Sequence, residues 1–230
     1  MKRQLEKLLL LLVVLLTPLS LCGQKRIYTK SYRLQDFKSK TTKVVLSGSD
    51  PLYTSLRQEV TSLWTISPYE FCTPAQYEKQ KNNPDICFLC IEKSRGIVFL
   101  TLSKGGNADD PNALKRPLEI ISIPIAGEND PSGQELIYMP AFISIIQDYT
   151  EAAMDSETAA YSGLKAIARG VPRGVKVYSD PGEARRVFSG QLPDSAVQIL
   201  ISPDGTAASK PRHKLTFDTR NYSLYSYSKS

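Results

Sequence analysis

The chain has 230 residues, of which 41% are hydrophobic and 23% charged, with 29 Lys and Arg against 23 Asp and Glu. This composition is typical of a folded globular protein and excludes a low-complexity or collagen-like chain. The formal net charge is +6, and the basic residues are scattered among acidic ones with one local cluster over residues 25–33. Nucleic-acid binders usually concentrate such charge in a stripe, so the sequence predicts no nucleic-acid partner.

Residues 1–23 have the layout of a signal peptide. Three basic residues precede an apolar run over residues 8–16. The apolar stretch ends by Leu21 and contains Pro18, so it is shorter than the ~20 residues that span a bilayer. We therefore expect cleaved export, to the periplasm or in association with the outer membrane. The mature chain would then carry 26 Lys and Arg against 22 Asp and Glu, a net charge of +4.

Membrane association remains open at this end of the chain. Acylation of Cys22 would give a lipid anchor, although Leu21 is larger than the residue that such processing normally requires. Residues 24–41 are predicted to form a solvated basic arm. Alternatively, the arm contacts an anionic membrane surface, where each basic residue contributes about 1 kcal/mol. The basic residues concerned are Lys25, Arg26, Lys30 and Arg33.

Residues 42–170 are predicted to form the main α/β domain. Asp50 followed by Pro51 is a typical helix start, and Thr73 with Gln76 has the spacing of a capping box. Later, an apolar stripe follows Pro140 and predicts a long helix, and a shorter helix is expected over 158–168. The predicted strands of this domain cover residues 43–47, 69–72, 86–91, 97–102 and 118–125.

Two of these strands, 86–91 and 97–102, are continuous apolar runs joined by a turn-like segment. They predict a hairpin. Because successive residues point to opposite faces of a sheet, both faces are expected to be covered by helices. Two polar loops, over residues 105–117 and 127–134, follow the hairpin and the next strand.

Residues 171–230 have a different pattern. A strand over 175–178, a helix over 182–188 and a strand over 197–201 predict a β-α-β unit, and the tail predicts a closing hairpin. We expect this unit to pack on the same domain. The fold class predicted for the whole chain is α/β or α+β, with a mixed β-sheet covered by helices.

Cys87 and Cys90 form a CxxC motif in the middle of a predicted strand. On a strand their side chains point to opposite faces, and their Cα atoms lie ~10 Å apart, beyond the ~7 Å limit for a disulfide. No second CxxC or His pair completes a zinc site. Both residues are therefore predicted to be buried. A disulfide from Cys72 to Cys87 or Cys90 stays open if the strands are neighbours.

Catalytic motifs are scarce. His213 is the only histidine and no G-x-S-x-G motif is present. The glycines near residues 48 and 105 match neither a P-loop nor a dinucleotide-binding fingerprint, so no cofactor is expected. The two polar loops carry carboxylates whose spacing does not fit a calcium-binding loop. These carboxylates, the candidate recognition residues, are Asp109, Asp110, Glu128 and Asp130.

The block LWTISPYEFCTPAQYEKQKNNPDICFL resembles segments of uncharacterised Sec-exported envelope proteins of Gram-negative bacteria. The resemblance covers residues 42–105. It implies an envelope location and carries no catalytic residues.

Two functional hypotheses follow. The first is a non-catalytic binding or accessory module for a protein, peptide or glycan in the cell envelope, with the polar loops as its recognition surface. The second is a carboxylate-dependent hydrolase of envelope or extracellular glycans, which needs two carboxyl groups ~5 to 9.5 Å apart across a pocket. The lack of catalytic motifs favours the first, and whether the protein is an enzyme stays open.

Overall fold

Two mixed β-sheets form the frame of the molecule, in a computed structural model that describes residues 29–107, 116–190 and 195–230. Each sheet combines parallel with antiparallel strand pairs. The fold class expected from the sequence is therefore confirmed. The predicted signal peptide and Cys22 lie outside the described residues.

The first sheet has five strands in the order β2-β1-β3-β4-β5. β1 is parallel to both of its neighbours, and β3, β4 and β5 form an antiparallel meander. The predicted hairpin of two apolar runs is confirmed as β3 and β4. The strands are β1 (Thr41–Val45), β2 (Tyr69–Cys72), β3 (Ile86–Ser94), β4 (Ile97–Lys104) and β5 (Leu118–Gly127).

Seven α-helices and two short 3₁₀ helices, Phe37–Ser39 and Gly163–Ala166, lie within the described residues. The shorter helix predicted over 158–168 ends early, at Ser162, because Gly163 takes a positive φ of 60°. The α-helices are α1 (Lys30–Leu34), α2 (Pro51–Leu63), α3 (Pro74–Gln80), α4 (Gln134–Ile137), α5 (Met139–Asp155), α6 (Glu157–Ser162) and α7 (Pro181–Gly190).

The second sheet has four strands in the order β6-β7-β8-β9. β6 is parallel to β7, with α7 between them in sequence, and β7 to β9 form an antiparallel meander. This arrangement confirms the predicted β-α-β unit and closing hairpin. The strands are β6 (Lys176–Tyr178), β7 (Ser195–Ile201), β8 (His213–Asp218) and β9 (Leu224–Lys229).

The predicted helix starts are confirmed in atomic detail. The Asp50 carboxylate accepts a hydrogen bond from the Tyr53 amide at 3.1 Å. Thr73 and Gln76 form the reciprocal capping box: the Gln76 amide donates to Thr73 Oγ1 at 3.3 Å, and the Thr73 amide donates to Gln76 Oε1 at 2.8 Å. Each bond satisfies a backbone donor that the first helical turn leaves free.

Both faces of the first sheet are covered, as the continuous apolar runs predict. On one face, α5 buries a stripe that includes Phe142, Ile146 and Tyr149 in the main core. On the other face, a smaller cluster that includes Phe88 packs against Tyr77 of α3. The two rings meet edge to face with centroids 5.0 Å apart.

The segment before β1 is not a solvated arm from residue 29 onward. Leu34 and Phe37 are completely buried in the main core. The ammonium of Lys30 is directed inward and donates to the carbonyl of Ile120 at 2.7 Å. Burial lowers the pKa of Lys30, and the negative charge of Glu119 partly opposes this effect. Leu34 and Phe37, three residues apart in sequence, anchor this segment in the core. The neighbouring basic residues had instead suggested a solvated arm.

The two sheets meet closely and share one core. A Cβ atom built on Gly127, at the end of β5, would lie 1.9 Å from the carbonyl oxygen of Ser202, which follows β7. Only glycine permits this approach. Nearby, the ring of Tyr138 contacts Phe188 of α7 and Phe217 of β8, with centroids 4.9 and 5.6 Å away. The main core is therefore continuous from the first sheet into the second.

Candidate functional site

Two pockets adjoin at the second sheet. The first, here called the inter-sheet pocket, has a volume of about 270 Å³ and lies where the 127–134 loop, α4, α7 and β7 meet. The second, the outer pocket, has a volume of about 440 Å³ and lies beside β7, β8 and β9. Gln198 and Leu200 of β7 line both pockets. The two pockets are thus neighbours, and we refer to them together as the groove.

Asp130 fastens the loop that forms one wall of the inter-sheet pocket. One of its carboxylate oxygens accepts from the Ser132 amide and the other from Gln134 Nε2, both at 2.9 Å. Gln134 Nε2 also donates to the carbonyl of Leu200 at 3.3 Å. Gly205, with a φ of 77°, passes so close that a Cβ atom on it would lie 2.6 Å from Asp130 Oδ1. Asp130 therefore serves mainly to hold the pocket together.

Arg185 of α7 supplies a positive charge to the inter-sheet pocket. Its Nη2 donates to the carbonyl of Ser132 at 2.7 Å. Behind it, Ile137, Tyr138 and Ala184 give the pocket an apolar wall. Burial raises the pKa of Tyr138, and the guanidinium of Arg185 opposes that shift. The pocket thus combines an apolar wall with one oriented cation, Arg185, and one hydrogen-bonded carboxylate, Asp130.

Arg212 supplies the corresponding charge to the outer pocket. Its Nη1 donates to the carbonyl of Ala207 at 2.6 Å, and its Nε donates to Ser230 Oγ at 3.2 Å. Lys214, on β8, is exposed and lines the same pocket. Both arginines of the groove are therefore positioned by uncharged oxygens, which leave their positive charge available to a ligand.

Charge is divided unevenly between the two parts of the chain. Residues 24–155 contain 15 Lys and Arg against 16 Asp and Glu, whereas residues 156–230 contain 11 against 6. Every ion pair found among the described residues joins side chains between Asp36 and Glu151. The cations of the groove, Arg185, Arg212 and Lys214, belong to the part with the positive excess, whereas residues 130–138 of the other part form one wall of the inter-sheet pocket.

His213, the only histidine, is a buried residue beside the groove. Its side chain is 2% exposed, and Nδ1 lies 2.9 Å from the hydroxyl of Tyr227. Its ring also meets Phe99 edge to face across the boundary between the sheets. Burial lowers its pKa to about 4, and the charge of Lys229 adds to the shift. His213 is therefore neutral at pH 7 and lies in an aromatic setting.

Of the four carboxylates singled out in the sequence, the two that the structure describes have different surroundings. Asp130 lines the inter-sheet pocket. Glu128 is paired with Lys93 at 3.2 Å on the surface. Asp109 and Asp110 lie outside the described residues. The 127–134 loop thus contributes to the candidate site, but through its fold as much as through its charge.

A further carboxyl group, Glu135, lies close to Asp130. Burial raises its pKa, and the negative charge of Asp130 contributes to the shift. Its Oε2 is buried and has no hydrogen-bond partner. The side chain is not among those that line the inter-sheet or the outer pocket. Glu135 is therefore not part of the groove lining.

The cysteines are buried thiols on two sides of the first sheet. Cys87 packs in the main core, whereas Cys90 and Cys72 belong to the smaller cluster beneath α3. All three are free. β1 lies between the strands that carry Cys72 and Cys90, so the condition set for a disulfide, neighbouring strands, is not met. Burial raises the pKa of Cys87 and of Cys90 to about 12, which suppresses thiolate chemistry.

Sequence reasoning missed the basic side of the groove. Arg185 and Arg212 are far apart in sequence and match no motif, and only the fold places them on the two sides of β7. A signal was nevertheless present, because the charge of residues 156–230 differs clearly from that of the rest. The net charge of residues 24–230 taken together is only +4, so it does not reveal this difference.

Comparison of the chain with models of known families, with curated proteins and with solved structures gave no match. Over the described ranges, no helix combines the length and apolar character needed to cross a membrane. Within the same ranges, no group of three or more His, Cys, Asp or Glu side chains is arranged to hold a metal ion.

Proposed function

We propose that this protein is an exported module of the cell envelope that binds a partner in its groove without transforming it chemically. The partner is a protein, peptide or glycan. The observation that carries this proposal is the construction of the groove: Arg185 in the inter-sheet pocket and Arg212 in the outer pocket are each held by an uncharged oxygen, and the inter-sheet pocket has an apolar wall. Such preorganised donors in a concave surface are typical of a binding site.

The hydrolase alternative receives less support from this geometry. Among the described residues, Asp130 is the one carboxylate that lines the inter-sheet pocket, and both of its oxygens accept hydrogen bonds from the protein. A glycosidase needs two carboxyl groups facing each other across the substrate. Glu135 has a raised pKa but does not line the groove. We therefore prefer the binding function.

The envelope location rests on the sequence. Residues 1–23 combine basic residues, a short apolar run and a polar boundary, the pattern of a cleaved export signal. An intact-mass measurement on protein from fractionated cells tests it. We expect a chain that begins near Gln24, without acyl groups, in the envelope fraction. A full-length chain in the cytoplasm would contradict export, and a mass with acyl chains on Cys22 would replace soluble export with a lipid anchor.

Site-specific photo-crosslinking in intact cells tests the binding function. Ser132, exposed at the rim of the inter-sheet pocket, is replaced by benzoylphenylalanine. Thr61, exposed on α2 and remote in sequence from the groove residues, receives the same group as the matched control. We expect discrete adducts from position 132 alone. Equal labelling at both positions, or none at either, would contradict the proposal.

A second readout separates binding from hydrolysis. Purified protein is incubated with peptidoglycan fragments, alongside the variant Asp130→Asn. The binding proposal predicts no cleavage by either protein. Cleavage that disappears in the Asp130→Asn variant, while that variant keeps its thermal stability, would establish the hydrolase instead.

A further inference from the structure

We propose that the groove recognises an acidic peptide segment in which carboxylates lie on both sides of an apolar side chain. This inference rests on the binding function proposed above and specifies its ligand class. The positions of Arg185 and Arg212 carry it. Each arginine lines one of the two pockets, and Gln198 and Leu200 lie in the wall common to both.

The two guanidinium groups are oriented but not neutralised. Arg185 donates to the carbonyl of Ser132, and Arg212 donates to the carbonyl of Ala207 and the hydroxyl of Ser230. A guanidinium carries five N–H donors, so each group keeps donors for a carboxylate after these contacts. A cation that is already fixed loses little conformational entropy when a ligand binds. This arrangement favours two separate anionic groups.

The two residues common to both pockets are one apolar and one polar side chain, Leu200 and Gln198. Leu200 belongs to both pockets, and Ile137 and Ala184 extend the apolar wall of the inter-sheet pocket. A volume of about 270 Å³ accommodates a side chain of the size of leucine with part of its backbone. A ligand that fits both features carries an apolar group between its charges.

A peptide meets these requirements better than the other anions of a cell envelope. A carboxylated glycan presents hydroxyl groups where the groove is apolar, and burying them without partners is unfavourable. An anionic membrane is a broad surface, whereas the cations of the groove line concave pockets. Lys214 provides a third, exposed charge that would steer an acidic ligand toward the outer pocket.

Fluorescence anisotropy with a defined probe tests this ligand class. The probe is a labelled peptide with two glutamates on each side of one leucine, added to the mature chain at low ionic strength. The variants Arg185→Gln and Lys214→Gln each remove one groove cation. Lys79→Gln, on the exposed side of α3 in the first sheet's part of the molecule, is the matched control. Arg212→Gln is kept as a third variant, because it also removes contacts that hold its own loop.

We expect each groove variant to bind the peptide about fivefold more weakly, the effect of losing one charged contact, and the control variant to bind as the parent does. Replacing the central leucine of the peptide by glycine should weaken binding by a similar factor. Equal binding by groove and control variants would overturn the proposal. So would tighter binding of polygalacturonate, or of phosphatidylglycerol vesicles, than of the peptide.

Failure of the ligand class and failure of the binding function are distinguishable. If the peptide does not bind but position 132 still forms specific adducts in cells, the acidic-peptide inference is wrong and the binding function stands. If both experiments fail, the function itself is wrong. Binding that is insensitive to the leucine-to-glycine change overturns the apolar part of the inference.

Discussion

The two sheets differ in how they use their basic residues. In the part of the chain that builds the first sheet, six lysines form ion pairs, among them Lys104 with Asp36 at 2.7 Å and Lys43 with Glu70 at 2.7 Å. Around the second sheet, Arg185 and Arg212 are held by backbone carbonyls, and no carboxylate within the described residues pairs with them.

This difference separates two roles for positive charge. A lysine that is paired within the protein contributes to the stability of the fold and offers little to a ligand. An arginine that is fixed by a neutral acceptor keeps its charge for an external partner. The second part therefore supplies the cations of the candidate recognition surface, whereas the first part supplies one wall of the inter-sheet pocket and shares the core.

The largest effect is expected from a substitution that weakens the packing between the two parts. Phe217 is completely buried in the second sheet, and its ring contacts Tyr138 and Phe188. Phe217→Ala should lower the free energy of unfolding by about 3–5 kcal/mol. Trp64, the only tryptophan, is buried in the first part and reports unfolding through its fluorescence.

The unfolding transition reported by Trp64 fluorescence should move to a lower denaturant concentration in Phe217→Ala. This is expected because the two sheets share one core, although Phe217 lies in the second sheet and Trp64 in the first part. Tyr32→Ala removes an aromatic ring that is 47% exposed, and it should leave the transition within about 0.5 kcal/mol of the parent. A Trp64 transition that is unchanged in Phe217→Ala would mean that the two sheets unfold independently.

The next effect concerns pH. The pKa of His213 is lowered to about 4 in the folded state, from an ordinary value of 6.5, so the unfolded chain binds more protons between these values. The contribution of His213 to the free energy of unfolding is therefore fully present above pH 6.5. It decreases by about 3 kcal/mol as the pH drops to 4. His213→Gln should remove this part of the pH dependence of the free energy of unfolding. The pH dependence that remains comes from the carboxylates.

Because His213 is the only histidine, its imidazole signals can be followed directly by NMR. They should show a neutral ring at pH 5. A midpoint near 6.5 in the folded protein would contradict the buried, aromatic environment that joins β8 to Phe99.

A smaller effect sharpens the contrast between paired and unpaired cations. Asp36 accepts hydrogen bonds from Lys104 and pairs with Lys40, so Asp36→Asn should destabilise the fold by about 1–2 kcal/mol. Lys214→Gln should change stability by less than about 0.5 kcal/mol, because Lys214 is exposed. Chemical denaturation of both variants measures this. A comparable loss in Lys214→Gln would assign a structural role to the groove cations.

The smallest expected effect concerns the chemical modification of the thiols. All cysteines of the chain precede residue 156 and therefore lie outside the part that forms the second sheet. Cys72, Cys87 and Cys90 are buried, so they should resist alkylation at pH 8 until the protein unfolds. Their alkylation rate, followed by intact mass, therefore reports opening of the first sheet. Fast alkylation of the native protein would contradict the packing beneath α3.

Much of the fold could be predicted because its signals are local. The cap at Asp50, the capping box at Thr73 and the alternation of Cys87 and Cys90 on β3 each depend on a few consecutive residues. The packing of α1 could not be predicted as easily, because the basic residues around Leu34 and Phe37 suggested a solvated segment.

The site was harder to predict because it depends on long-range packing. Asp130 was singled out as a candidate recognition residue and lines the inter-sheet pocket, where the hydrogen bonds it accepts from Ser132 and Gln134 give it a structural role. Arg185 and Arg212 come to line adjoining pockets only because Gln198 and Leu200 of β7 contribute to both. No spacing in the sequence encodes that arrangement.

The most direct test of the central claim is an NMR titration of ¹⁵N-labelled protein comprising residues 24–230 with the glutamate and leucine peptide. We expect amide shifts centred on Gln198, Leu200 and Lys214, which saturate with the same affinity as the anisotropy signal. Shifts spread over the exposed basic residues from Lys165 to Lys176, or no shifts at all, would contradict it.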